Sequence, residues 1–138
     1  MMMSVKIACE YLGDLRVRAV HGPSATTLIT DAPTDNHGKG ESFSPTDLAC
    51  TALATCVATI MGIAAKSLPV DLKGMKIDIE KHMTTHPPRR IAKLNMDIRM
   101  PAGISAEHQT KLKTAAAACP VHASFHPDVI VEMVWNWG

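Results

Sequence analysis

Between Leu48 and Ala65 this 138-residue chain runs for eighteen consecutive positions without a charge. No other feature limits the possible folds as tightly. The run opens on Ser44-Pro45-Thr46-Asp47, which reads as a helix start. The Ser44 hydroxyl can accept from exposed amides, Pro45 suits the first helical position, and Asp47 opposes the positive end of the dipole. It closes on Lys66-Ser67-Leu68-Pro69, a cation followed by a helix breaker. Eighteen uncharged residues reach the length at which a membrane span must be weighed. The run is rich in Ala and Thr with only two leucines, however, and nothing else in the chain suggests a membrane. A helix apolar on every side is then read as a core helix. Thr51, Thr55 and Thr59 give it one small-residue face suited to close packing.

The flanks of this helix read as sheet. Val5, Ile7, Cys9 and Tyr11 alternate with polar neighbours, Gly13-Asp14 turns the chain into a strand over 15–21, and Thr26–Thr30 follows after Gly22-Pro23-Ser24. The polar stretch 31–43 carries a Gly-Lys-Gly but lacks the Ser or Thr after lysine that a phosphate loop requires. Beyond the helix, Met75, Ile77 and Ile79 alternate with Lys76, Asp78 and Glu80, and residues 91–100 alternate again, so His86-Pro87-Pro88 joins two strands of a hairpin. A second helix starts at Ser105 and runs to Ala118, where Cys119-Pro120 interrupts it. Val129, Val131, Met133 and Trp135 mark a last strand. The order is β-β-β-α-β-β-α-β, an α+β fold in a single domain over 1–138.

A net charge of +1 and the absence of basic runs argue against nucleic acid or an anionic membrane as partner. The N-terminus shows no charged leader followed by an apolar stretch, and the four cysteines at 9, 50, 56 and 119 lack the close spacing of a secreted disulfide framework. A cytoplasmic location is expected, where thiols stay reduced unless they are catalytic, metal-bound or redox-sensing.

Two of the cysteines stand out. Cys56 lies about three turns into the apolar helix, too deep for the helix N-terminus to activate it, so a reactive Cys56 needs a cation from elsewhere in the fold. Cys119 sits at a helix break, where Pro120 can begin a short new helix that supplies amides and some exposure. His122, three residues on, can reach Cys119 or an approaching thiol. The competing reading for Cys56 is a small hydrophobe in an Ala-rich core. Cys9 and Cys50 keep that reading. A metal site at Cys119 and His122 lacks further ligands of recognised spacing, and His82 and His86 flank a turn, so no metal and no cofactor is expected.

Ser44-Pro45-Thr46-Asp47-Leu48, with Cys56 eight positions after Leu48 and Cys119-Pro120-Val121 much later, resembles the OsmC/Ohr family of osmotically inducible and organic-hydroperoxide-resistance proteins. The resemblance covers nearly the whole chain. It implies an intertwined homodimer in which two central helices are wrapped by antiparallel sheets, with sites at the subunit interface. It implies a peroxidatic Cys56 and a resolving Cys119 that together reduce an organic (alkyl or lipid) hydroperoxide, with a dithiol such as a lipoyl group as reductant. The peroxidase branches add an Arg and a Glu. Arg16 is the first choice for the cation and Arg18 the second, against a solvated strand face. The usual Pro-Glu is here Pro45-Thr46, with the carboxylate one position later at Asp47; Glu41 is the other acid considered. That difference implies a less typical branch. Two other readings share the fold, a non-enzymatic dimer that binds a small molecule and a thiol redox sensor.

Overall fold

Alternation and turn chemistry decide the first third of the chain. The computed structural model describes residues 3–138. It divides into two compact units, one ending at Leu48 and the other Ala49–Gly138. In the first, β1 (Ile7–Gly13), β2 (Arg16–His21) and β3 (Thr27–Asp31) form an antiparallel sheet in the order β1-β2-β3. The β1–β2 turn places Asp14 and Leu15 at φ 53° and 62°. Two left-handed residues in sequence match the twist of a tight hairpin, and this strains Leu15 more than a glycine. Its amide is held by the Tyr11 hydroxyl at 3.2 Å.

Register sorts the sheet into two faces. Cys9 pairs with Ala19 and Ala19 with Leu28; Tyr11 pairs with Val17 and Val17 with Thr30. These residues, with Ile7, make one face apolar. Glu10 pairs with Arg18, and Arg16 pairs with Asp31, so both early arginines lie on the opposite, charged face.

Helix α1 (Pro45–Ala65) begins as the sequence indicates. The Asp47 amide donates to Ser44 Oγ at 3.1 Å, and the Ser44 amide donates to Asp47 Oδ2 at 2.9 Å, a reciprocal capping box. The expectation of a helix buried on all sides does not hold within the single chain. Cys50, Leu53, Ala54, Val57, Met61 and Ala65 are buried, which is one face, while Ala52, Thr55, Thr59 and Ile63 are exposed. This helix is long and apolar enough by composition to cross a membrane, yet its buried face packs into the core of the second unit. Thr55 and Thr59 donate to the carbonyls of Thr51 and Thr55 at 2.9 and 2.8 Å. Their hydroxyls are thus satisfied within the helix itself.

In the second unit β4 (Lys76–Met83) and β5 (Ile91–Arg99) form the expected antiparallel hairpin, with Ile77 opposite Ile98 and Ile79 opposite Met96. Helix α2 (Ala106–Ala117) is capped by Ser105 Oγ, which accepts from the His108 amide at 3.3 Å. A five-residue helix, α3 (Pro120–Ser124), follows, and β6 (Ile130–Asn136) then joins β5 in parallel. The second sheet is therefore mixed, because a connection through two helices returns the chain to the same end of the sheet. The core gathers Leu53, Val57, Met61, Leu94, Met96, Ile98 and Leu112, all at 0–1% exposure. Each such side chain contributes on the order of 1.5–3 kcal/mol by leaving water. At the sheet's end Trp135 and Trp137 stack at 5.3 Å, and Lys113 Nζ lies 5.8–5.9 Å from both rings.

Candidate functional site

The second unit brings two distant cysteines together. Cys56 projects from α1 and is partly buried against the core. Cys119 stands at the break between α2 and α3, where the chain leaves helical geometry ahead of Pro120. The two thiols are near neighbours, close enough for Cys56 to act on the ionisation of Cys119. None of the four cysteines is in a disulfide.

Cys119 caps α3 as the sequence suggests, its sulfur accepting from the His122 amide at 3.5 Å. It is not partly exposed, however, as its position had implied. Only 1% of it is accessible, because it belongs to the buried core cluster that also holds Leu112 and Ala116 of α2. Burial pushes this thiol's pKa up, and the neighbouring Cys56 thiol adds to the rise. The amides of His122 and Val121 pull the other way without cancelling it. Cys119 thus holds its proton at neutral pH. A groove of about 330 Å³ lies over the break, lined by Ala117, Ala118, Cys119, His122 and Ala123.

The first unit assembles a charged cluster of its own. Arg16 lies 2.8 Å from Glu41 and 3.5 Å from Asp31. Glu41, then Asp31, holds the guanidinium in its charged form, and its pKa is raised. Asp31 is 1% exposed. Its Oδ2 accepts the Glu41 amide at 3.0 Å, while its Oδ1 is buried with no partner among the described residues. The loop between them is built from its own backbone. Pro33 carbonyl accepts from Asn36 and Gly38, and Ala32 carbonyl accepts from Gly40. A side chain at position 38 would put a Cβ 1.8 Å from the Ala32 carbonyl oxygen, so only glycine lets the loop fold back to present Glu41. Arg18 instead pairs with the exposed Glu10 at 3.0 Å. Asp47 is engaged in the capping box of α1.

Sequence reasoning missed Asp31. At the end of a strand ahead of Ala-Pro it reads as a loop residue, and only its register opposite Arg16 reveals it. Among the described residues no group of three or more His, Cys, Asp or Glu could hold a metal ion.

A family model described as OsmC-like protein matches residues 38–134, from the loop before α1 through both cysteines to β6. The chain belongs to the OsmC family. No curated protein matches it. Among solved structures, this OsmC-like chain is similar to a candidate osmotic stress induced and detoxification response protein from Psychrobacter arcticus. The two are 39% identical with a TM-score of 0.89, covering 99% of this chain and 97% of the other. The fold also matches an organic hydroperoxide resistance protein of Legionella pneumophila (16% identity, TM-score 0.74, 99% and 98% covered). A third match is the organic hydroperoxide resistance protein OhrB of Bacillus subtilis (14% identity, TM-score 0.71, 97% and 98% covered). At these identities the likeness is one of fold, shared over nearly the full length of each chain.

Proposed function

We propose that this OsmC-family protein is a thiol peroxidase that reduces organic hydroperoxides in the cytoplasm. The observation that carries the reading is that Cys56 and Cys119, 63 positions apart in sequence, lie close enough in the fold for one to act on the ionisation of the other. The Cys56 thiolate attacks the distal oxygen of the hydroperoxide, the O–O bond breaks, and the alkoxide leaves as an alcohol after taking a proton. Cys56 is now a sulfenic acid. Cys119, kept as a thiol by its burial, attacks the oxidised sulfur. Its proton leaves with the hydroxyl as water, and a Cys56–Cys119 disulfide remains. A dithiol, a lipoyl group being the family's precedent, restores both thiols.

Arg16 is the cation assigned to activating Cys56, and its clamp by Glu41 and Asp31 favours it over Arg18. Glu41 is then the acid that stands in for the family's glutamate. The working form is a homodimer. Ile7 and Tyr11, on the apolar face of the first sheet, are 62% and 63% exposed, and Ile63 of α1 is 58% exposed. Such surfaces are costly to leave in water, and a second copy would cover them.

The decisive experiment mixes the protein with cumene hydroperoxide and dithiothreitol and follows peroxide loss. Catalytic turnover is expected, abolished in Cys56→Ser, while Cys119→Ser stops at a sulfenic acid that dimedone traps. One equivalent of oxidation without turnover would make the protein a redox sensor. A Cys56 that never oxidises would leave only a binding dimer.

A further inference from the structure

Cysteines aside, Asp31 is the one ionisable side chain buried among the described residues, with 1% of it exposed. It stands last in β3 and is satisfied on one oxygen only. Oδ2 accepts the Glu41 amide at 3.0 Å and lies 3.5 Å from Arg16 Nη2, while Oδ1 is buried with no partner among the described residues. A buried carboxylate left half without donors is costly. The loop does not need that charge. An asparagine of the same size offers the same acceptor to the Glu41 amide, and the other ties of the loop involve no charge. The Asp31 amide donates to the Phe43 carbonyl at 3.1 Å, the Gly40 amide to the Ala32 carbonyl at 3.1 Å, and the Ser42 hydroxyl to the Ile29 carbonyl at 2.7 Å.

We propose that Asp31 is a positioning residue whose buried negative charge aims the Arg16 guanidinium, and that the fold carries this charge at the expense of its own stability. The inference rests on the assignment of Arg16 to Cys56 in the proposed peroxidase. It deepens that reading by naming what holds the cation in place.

Glu41 alone is a poor clamp. Its side chain is 59% exposed, and an ion pair at such a surface is screened by water and free to rearrange. Asp31 is fixed instead, by burial and by the strand register that sets it opposite Arg16. Both carboxylates make their closest approach to the same guanidinium nitrogen, Nη2. Arginine carries five donors on a rigid planar fork, so a grip at one corner sets the direction of the whole group without using it up. Charge and position pull in opposite directions here, which makes the sign of the effect informative. By charge alone Asp31 opposes a thiolate beside Arg16, and removing it would leave a freer cation and a faster Cys56. As an aiming device it does the reverse. Without it the partly exposed guanidinium swings toward solvent and Cys56 reacts more slowly. Placement is the larger effect, because a small misplacement of an assisting group forfeits most of its help.

The test is Asp31→Asn, alone and combined with Arg16→Met. The single variant should unfold at the same urea concentration as the unaltered protein or a higher one, because a neutral side chain costs less to bury. Its Cys56 should nevertheless be oxidised by cumene hydroperoxide about tenfold more slowly. The double variant should be no slower than Arg16→Met alone, since Asp31 acts only through that guanidinium. An Asp31→Asn protein that reacts as fast or faster overturns the proposal, as do losses that multiply in the double variant. A variant that is less stable or does not fold also overturns it, by putting the charge in the service of the fold. Alkylation of Cys56 by iodoacetamide, followed against pH and read by peptide mass, repeats the comparison without a peroxide. Its profile should move to higher pH in Asp31→Asn and in Arg16→Met. If peroxide gives no turnover while these profiles still move, the peroxidase reading falls and the role of Asp31 stands. If Arg16→Met changes neither rate nor profile, the assignment of Arg16 falls and that of Asp31 falls with it.

Discussion

Oxidation should make this protein markedly more stable, and the size of the effect follows from where the two cysteines lie. A Cys56–Cys119 bond closes a loop of about 63 residues. In the chain-entropy account this removes roughly 14 cal/mol/K from the unfolded ensemble, or about 4 kcal/mol at 25 °C. The thiols are neighbours in the reduced fold, and any distortion needed to join them subtracts from that gain. For 138 residues, an unfolding entropy of about 2 cal/mol/K per residue turns it into a rise of about 10–15 °C in the melting temperature. The measurement is thermal unfolding by circular dichroism at one protein concentration, comparing diamide-oxidised with phosphine-reduced samples. Cys119→Ser should show none of the difference. If mass spectrometry confirms the bond and the two samples still melt within about 1 °C of each other, the site does not hold the sulfurs in a bridging geometry.

Three further outcomes are expected. Because the folded state raises the Cys119 pKa, it holds that proton more tightly than the unfolded chain does. Stability of the reduced protein is then fully present below the ordinary thiol range and declines as pH climbs through it toward the folded value. Urea midpoints between about pH 7 and 10 should fall less steeply in Cys119→Ser. Ser44→Ala breaks one arm of the α1 capping box and should cost about 1 kcal/mol in urea unfolding; a loss under about 0.2 kcal/mol would show that the cap is idle. Arg16→Met should slow the oxidation of Cys56 by cumene hydroperoxide by roughly a hundredfold in stopped flow, with Arg18→Met nearly silent. Equal effects from the two would detach the Asp31–Glu41 clamp from the chemistry.

Much of this architecture is legible in the sequence because it rests on local rules. Ser44, Pro45 and Asp47 announce α1 through capping chemistry, and the alternation from Met75 to Arg99 announces a hairpin through its period of two. Cys119-Pro120 marks the helix break because proline restricts its predecessor. What escapes depends on residues far apart in the chain. Nothing near Cys119 in the sequence indicates that the assembled core leaves only 1% of it exposed. Asp31 is buried only because β3 sets it opposite Arg16 and the loop returns Glu41 to it. The uncharged run shows that α1 needs cover, yet not that a single chain covers only one of its sides.

The division of the second helical segment into α2 and α3 has a mechanical consequence. Cys119 rides on the hinge between a twelve-residue helix and a five-residue one. A tilt of the short helix would be enough to move the Cys119 sulfur relative to Cys56 without disturbing the longer helix. The strands on either side, β5 and β6, are laced together from Lys93 to Arg99 and can stay fixed. Each redox cycle would then flex one small lever and leave the load-carrying sheet at rest.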